Sequence, residues 1–378
     1  MTRLKNSLKG KKRGWFRKYD GAFGTALFCF YVIYAIIKAK AVIIKEGVDK
    51  MVKKITFLGL IIGIIFIAGC EVGAQPEKAK WTVGILAASS IKAEKIVGLK
   101  QGLADLGIIE GKDVNYIILN AEGEREQLLP LARKLVHEKP DVLVATGGVE
   151  ADALKRAAKN QDTPIVFIGA ASSVEGGLVK SFIEPGGQIT GVDNYHAELA
   201  GKRLELLKKL LPPVNKVIVL YDPKVPPGYT SLKIVKDTAK DLGIEIKTIA
   251  VSSRAEFKTK LNQQSLKGFD AILPLSSFLL ETLTQDLLKL SLQYKIPVMG
   301  IFEQEADRGY FAAYGVSMYN QGYQGARIVA KVLHGQQPEQ IPVETPDNLE
   351  LVVNLRTAKK LGLKLNATGL SFAKTVIK

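Results

Sequence analysis

From Thr82 onward the chain alternates short apolar runs with amphipathic helical patterns, and it runs through that order twice. In the first pass "TVGIL" (82–86), "VNYIIL" (114–119), "DVLVA" (141–145) and "PIVFI" (164–168) read as buried strands. "KAEKIVGLKQGLADLG" places Ile96, Leu99, Leu103 and Leu106 at spacings of three and four before a terminating Gly107, which predicts a helix. "EREQLLPLARKLV" is also helical, with Pro130 near its first turn or at a kink. In the second pass "KVIVLY" (216–221), "IEIKTIAV" (244–251), "DAILPL" (270–275) and "PVMGI" (297–301) are strands, and "LKIVKDTAKDLG" (232–243) is a helix. Asp105-Leu106-Gly107-Ile108 recurs as Asp241-Leu242-Gly243-Ile244, Asp141 corresponds to Asp270, and "TPIVFIG" to "IPVMGIF". These offsets of 136, 129 and 133 residues predict a diverged duplication.

Strands alternating with helices form parallel sheets covered on both faces. The expected fold class is therefore α/β, with two Rossmann-like lobes in tandem and a hinge between them. Ligands of open α/β sheets bind beyond the carboxyl ends of the strands. Two lobes facing each other that way enclose one cleft, and hinge closure traps a small molecule in it.

The N-terminal part has a different character. "MVKKITFLGLIIGIIFIAGCEVG", from Met51, runs basic, apolar, small and then Cys70. That order is an export signal, and its apolar run is short against the ~20 residues of a membrane span. Ile67-Ala68-Gly69-Cys70 matches the bacterial lipobox, which makes Cys70 the expected lipidation site and first mature residue; the alternative is a plain N-terminal anchor. Residues 1–50 are expected to be a non-domain extension ahead of the true start at Met51, 51–70 the signal peptide and 71–80 a polar tether.

This division changes the meaning of the formal charge of +16. Residues 1–70 hold fourteen Lys and Arg against three Asp and Glu, whereas the remainder holds 39 against 34. The domain is thus near balance, without the basic footprint of a nucleic-acid binder. The cysteines of the whole chain are Cys29 and Cys70 alone, so the domain after Cys70 has no disulfide, thiolate or cysteine–metal chemistry.

Three stretches give the chain a specific resemblance: "GLVKSFIEPGGQITGV" (177–192), "LELLKKLLPPVNKVIVLYDP" (204–223) and "IPVETPDNLELVVNLRTAKKLGL" (341–363). Over residues 80–366 it resembles the ABC transporter substrate-binding lipoproteins of the tryptophan/tyrosine-binding type, with the type I periplasmic-binding-protein fold. The resemblance implies a first lobe over 81–194 completed by 317–345, a second over 195–316 completed by 346–366, and a tail over 367–378. Chain crossings are implied near Asp193–Ala197, near Tyr314–Met318 and before a strand at Leu349–Val353, which a short helix follows after Asn354.

The family fold also implies which loops meet ligand. Ser89 and Ser90 follow the first strand, as ligand groups or as helix caps. Thr146 and Gly147 follow another, where glycine admits a ligand to the backbone or only permits the turn. Ser172 lies in a loop where relatives carry Thr and Asp; here no acid occurs before Glu175. Asp193 and Asn194 at the first crossing either bind ligand or satisfy hinge backbone. In the second lobe Asp222, Tyr229 as a stacking ring, Ser276, Ser277, Glu303 as a charge for a ligand cation, and Tyr314 are the candidates. Taken in isolation, Glu303 reads first as a solvated loop carboxylate.

His137, His196 and His334 are far apart, and no HExxH, GxSxG or GxxxxGK[ST] pattern occurs. The chain reads as a binding protein rather than an enzyme, with no cofactor and no metal. A sugar-responsive repressor on the same fold needs an N-terminal helix-turn-helix, and residues 1–70 are export-like instead. The expectation is an exported, lipid-anchored monomer at the cell membrane, facing periplasm or exterior. It hands a small organic solute, an aromatic or branched amino acid, to ABC permease and ATPase subunits. The alternative is a ligand-sensing lipoprotein or receptor ectodomain uncoupled from transport.

Overall fold

The strand–helix alternation appears in space as two layered lobes joined by three crossings. A computed structural model describes Tyr34 and residues 79–378; the 1–50 extension, the signal segment with Cys70 and most of the 71–80 tether lie outside the described residues. The first lobe runs β1 (Trp81–Ala87), α1 (Ala93–Asp105), β2 (Val114–Asn120), α2 (Leu128–His137), β3 (Val142–Ala145), α3 (Gly148–Ala157), β4 (Ile165–Ala170) and β5 (Ile189–Asp193). Its sheet is parallel with order β2-β1-β3-β4-β5. Leu86, Leu143 and Phe167 fill one face, while Val83, Ile85, Val144 and Ile168 fill the other. Burial on both faces explains why these strands read as continuous apolar runs rather than alternating ones.

The second lobe begins with α4 (Ala200–Leu210), β6 (Lys216–Tyr221), α5 (Pro226–Asp241), β7 (Glu245–Ala250), α6 (Arg254–Lys260), α7 (Gln263–Leu266) and β8 (Ala271–Pro274). It continues through α8 (Phe278–Thr282), α9 (Thr284–Tyr294), β9 (Met299–Gly300), α10 (Glu303–Arg308) and β10 (Ala312–Gly315). The chain then forms α11 (Met318–Leu333) on the first lobe, where Ile328 and Val329 join the core beside Leu99. It returns for β11 (Glu350–Asn354), α12 (Leu355–Leu361), α13 (Ala367–Leu370) and β12 (Thr375–Ile377). Strands β7-β6-β8 form one sheet and β9-β10-β11-β12 another, linked by a bridge between Ile272 and Val298.

One pairing differs from a purely parallel reading. β11 is antiparallel to β10. It enters from the other lobe rather than through a crossover on its own sheet, so the rule that keeps βαβ strands parallel does not act on it. The tail, residues 367–378, is built into the lobe: β12 pairs with β11 and Gly369 packs against the backbone of Lys209 and Leu210. Helix α5 also starts earlier than its apolar period, because Pro226 and Pro227 occupy its first positions, where a missing N–H costs nothing.

The duplication is visible bond by bond. Gly107 and Gly243 both have positive φ. Ile108 N donates to Leu103 O and Ile244 N to Ala239 O, giving both helices the same left-handed cap. Asp141 accepts from Thr82 N, and Asp270 accepts from Asn215 N and Lys216 N, so each aspartate fixes the start of a neighbouring strand.

Arg203 on α4 is buried at the hinge. It donates to the carbonyls of Tyr314 and His196, both at 2.7 Å, and to His196 Nδ1 at 3.1 Å. Burial first, then the Arg203 charge, hold the imidazole of His196 well below its ordinary pKa, so it accepts from the guanidinium as the neutral ring. One side chain thereby ties the first crossing to the second.

Candidate ligand-binding site

Both lobes present strand carboxyl ends to a shared cleft of about 340 Å³. Its walls are the loops at the two switch points, where sheet order reverses between β1 and β3 and between β6 and β8. The first lobe contributes Lys92 after β1, Gly147–Glu150, Asp152 and Ala153 around the start of α3, and Gly169, Ala171 and Ser172 at the end of β4 and just after it. The second contributes Lys224–Pro227 after β6 and Ser276, Ser277, Phe278 and Glu281 after β8. A larger groove of about 1020 Å³, around Phe269, Asp270 and Leu363, lies at the opposite, amino ends of the second lobe's strands.

Among the charged side chains lining the cleft, Glu150 stands in the first turn of α3. Its Oε1 accepts from Ala88 N at 3.0 Å and from Thr146 Oγ1 at 2.8 Å. Its Oε2 is buried and has no hydrogen-bond partner among the described residues. That oxygen lies so close to Gly147 that a Cβ there would meet it at 2.8 Å. The first amides of α3 have no acceptor within the helix, so they and the helix dipole favour an anion at Gly147–Gly148. A carboxylate acceptor and an anion seat are therefore adjacent.

Lys92 reaches across the cleft. Its Nζ lies 2.7 Å from Glu281 Oε2 of the second lobe and over the Phe302 ring. Burial pulls its pKa down, but the carboxylates of Glu281 and Glu150 outweigh burial and hold it above its usual value. One turn on, Lys95 is fully buried and donates to the carbonyls of Thr146, Ile168 and Gly169, satisfying the ends of β3 and β4. Burial, then the charge of Lys92, brings its pKa down to about 7.

Of the residues marked in the sequence, Gly147, Ser172, Asn194, Ser276 and Ser277 line the cleft. Ser172 has a positive φ of 53° and a buried hydroxyl without a hydrogen-bond partner among the described residues. Asn194 spends its amide on Gly169 O and His196 N, and Ser277 caps α8 through Leu280 N. The others stand elsewhere. Ser89 is buried and Ser90 is exposed, and neither lines the cleft. Thr146 positions Glu150. Asp193 accepts from the backbone of Ser173 and Tyr195. Asp222 accepts from Lys224 N. Tyr229 is 56% exposed on α5, and Tyr314 supplies its carbonyl to Arg203. Glu303 is not part of the lining. Burial, followed by Glu350, Glu94 and Asp307, pushes its carboxyl up to about 7.

Sequence reasoning missed Lys92, Glu150, Phe278 and Glu281. Lys92 carried a signal: a lysine just ahead of a helix opposes the helix dipole, which calls for a compensating carboxylate. Glu150 carried none, because an acid in the first turn of a helix is ordinary.

The fold and the interlobe cleft define a two-lobed solute-binding protein of the type I periplasmic-binding-protein class. The family described as ABC transporter substrate binding protein matches residues 84–377, and the chain belongs to that family. A "Tyrosine-binding protein" of Clostridioides difficile is 28% identical over 345 residues, covering 86% of this chain and 98% of that protein. A crystal structure of a conserved domain protein from Vibrio cholerae is 27% identical, with TM-score 0.72 over 79% of this chain and 99% of that one. A Streptococcus pneumoniae domain solved in complex with L-Trp is 24% identical, with TM-score 0.73 over 79% of this chain and all of that one, and shares the fold. Members of this family bind small solutes outside the cytoplasm for ABC transporters rather than acting as enzymes. Among the described residues no helix is long and apolar enough to cross a membrane.

Proposed function

We propose that this chain captures an aromatic amino acid in the interlobe cleft and delivers it, without chemical change, to an ABC importer. The observation that carries the reading is the unpartnered, buried Glu150 Oε2 beside Gly147. An α-amino acid presents an ammonium and a carboxylate a few ångströms apart. The ammonium donates to Glu150, and the carboxylate takes the α3 amides. The side chain then lies against Leu128, Leu129, Leu178, Pro226 and Phe278. A cleft of about 340 Å³ is at the small end of the roughly 300–1,000 Å³ typical of ligand sites, which suits a single amino acid over a peptide or oligosaccharide. The tyrosine-binding relative supports the same class. Glu150 thus does the work of the acid missing from the Ser172 loop.

The protein works as a monomer held at the membrane by lipid on Cys70. Lipid labelling of cells that express wild type and Cys70→Ala tests the anchor: label on the variant would refute it. A thermal-shift screen of the purified protein against all twenty amino acids and a set of sugars tests the ligand. Aromatic amino acids at 100 times their Kd are expected to stabilise by about 2.7 kcal/mol. Shifts with sugars alone contradict the proposal.

A further inference from the structure

We infer that Phe278 sets the size of ligand side chain the cleft accepts, and that the Lys92–Glu281 ion pair holds Phe278 in register. The inference rests on the aromatic amino acid reading above. Phe278 is the one aromatic side chain lining the cleft among the described residues. It belongs to the second lobe, opening α8 straight after the β8 switch-point loop. Its neighbours Leu279 and Leu280 turn into the second lobe's own core. Phe278 instead packs against the first lobe's core cluster, whose members Leu128, Ala153 and Leu178 line the same cleft. The ring therefore spans the gap at its apolar end.

Glu281 lies three residues on, a spacing that puts neighbouring side chains on one helix face. It is the group that pairs with Lys92 of the first lobe. A five-residue helix thus makes two attachments to the opposite lobe, one apolar and one ionic. The ionic contact fixes how deeply the ring enters, and the depth of the ring fixes the space left for a ligand side chain. Glu281 is in this sense a positioning residue. Phe278 touches the ligand, with the edge or face of its ring available to a ligand ring.

The test is calorimetric titration of wild type, Phe278→Ala, Phe278→Trp and Glu281→Gln with L-tyrosine, L-phenylalanine, L-tryptophan and L-leucine. Phe278→Ala is expected to shift the tyrosine-to-tryptophan Kd ratio toward tryptophan by about tenfold, the scale of discrimination an apolar pocket achieves. Phe278→Trp is expected to lose the aromatic ligands by a similar factor relative to leucine. Glu281→Gln is expected to move the ratio the same way as Phe278→Ala by a smaller factor, which loss of fold alone would not do. If a variant does not fold, as circular dichroism would report, Phe278→Leu carries the same expectation with a milder change. Aromatic binding by wild type with ratios unchanged within twofold in every folded Phe278 variant overturns this inference and leaves the proposed function standing. Shifted ratios in the Phe278 variants with an unchanged ratio in Glu281→Gln overturn the positioning role of Glu281. No aromatic binding by wild type overturns both the function and the inference.

Discussion

Lys92 Nζ and Glu281 Oε2 meet at 2.7 Å between the lobes, with side chains only 5% and 12% exposed. Where the lobes meet, both charges are held largely out of water, and each depends on the other. In Lys92→Met the closed form leaves Glu281 without its partner, a loss that costs about 3–5 kcal/mol in a buried pair. Separating the lobes rehydrates the carboxylate. The variant is expected to show a larger radius of gyration by small-angle scattering and at least tenfold weaker ligand binding. Lys92→Met with Glu281→Met is expected to recover part of the closure. Scattering that does not change in the single variant contradicts this role.

Arg203 is the clasp between two crossings. Its guanidinium serves three acceptors from one plane, on His196 and Tyr314. Arg203→Met leaves two buried carbonyls and a ring nitrogen without a donor. We expect a loss of about 3 kcal/mol in urea unfolding. Arg203→Lys is not expected to rescue it, since one ammonium cannot reproduce the planar fork. A loss under about 1 kcal/mol in Arg203→Met counts against the clasp.

Glu303 predicts a pH dependence. Burial, then the carboxylates of Glu350, Glu94 and Asp307, raise its folded-state pKa to about 7 from the ordinary 4.5. The folded chain therefore binds this proton more tightly than the unfolded chain. Stability falls as pH rises from the unfolded pKa through the folded one, from about 4.5 to about 7. Glu303→Gln is expected to flatten that slope and to gain stability relative to wild type between pH 5 and pH 7.5, measured by denaturant unfolding across the series. A parallel pH profile for the two proteins sinks the prediction.

The lobes were legible because their strands are buried on both faces. "KVIVLY" (216–221) is β6 residue for residue, and the repeated Asp-Leu-Gly-Ile marks the same helix cap twice. β5, β10 and β12 carry no clear strand signal in the sequence. Ile189–Asp193 and Ala312–Gly315 contain glycine at a bend or a close approach, and Thr375–Ile377 is a three-residue edge strand too short for any period to show. At Gly191 a Cβ would lie 2.1 Å from Phe167 O, so the residue that weakens the strand signal is the one the sheet requires. The loops that form the cleft followed from topology, since strand ends at the switch points must face it. Which side chain in each loop enters the cleft did not follow. Ser89 and Glu150 both sit next to helix starts, and only the orphaned oxygen of Glu150, invisible in sequence, separates a ligand group from a structural one.

Glu150 is the group on which ligand recognition turns. Calorimetric titration of L-tyrosine into wild type and Glu150→Gln, with 3-(4-hydroxyphenyl)propionate as the analogue lacking the ammonium, isolates its role. A hydrogen bond to a charged group contributes about 1.5–3 kcal/mol. Wild type is expected to bind tyrosine about 10- to 100-fold more tightly than Glu150→Gln does, while the analogue binds the variant at least as well as it binds wild type. Equal tyrosine affinity in the two proteins, or no tyrosine binding by wild type, would contradict the account.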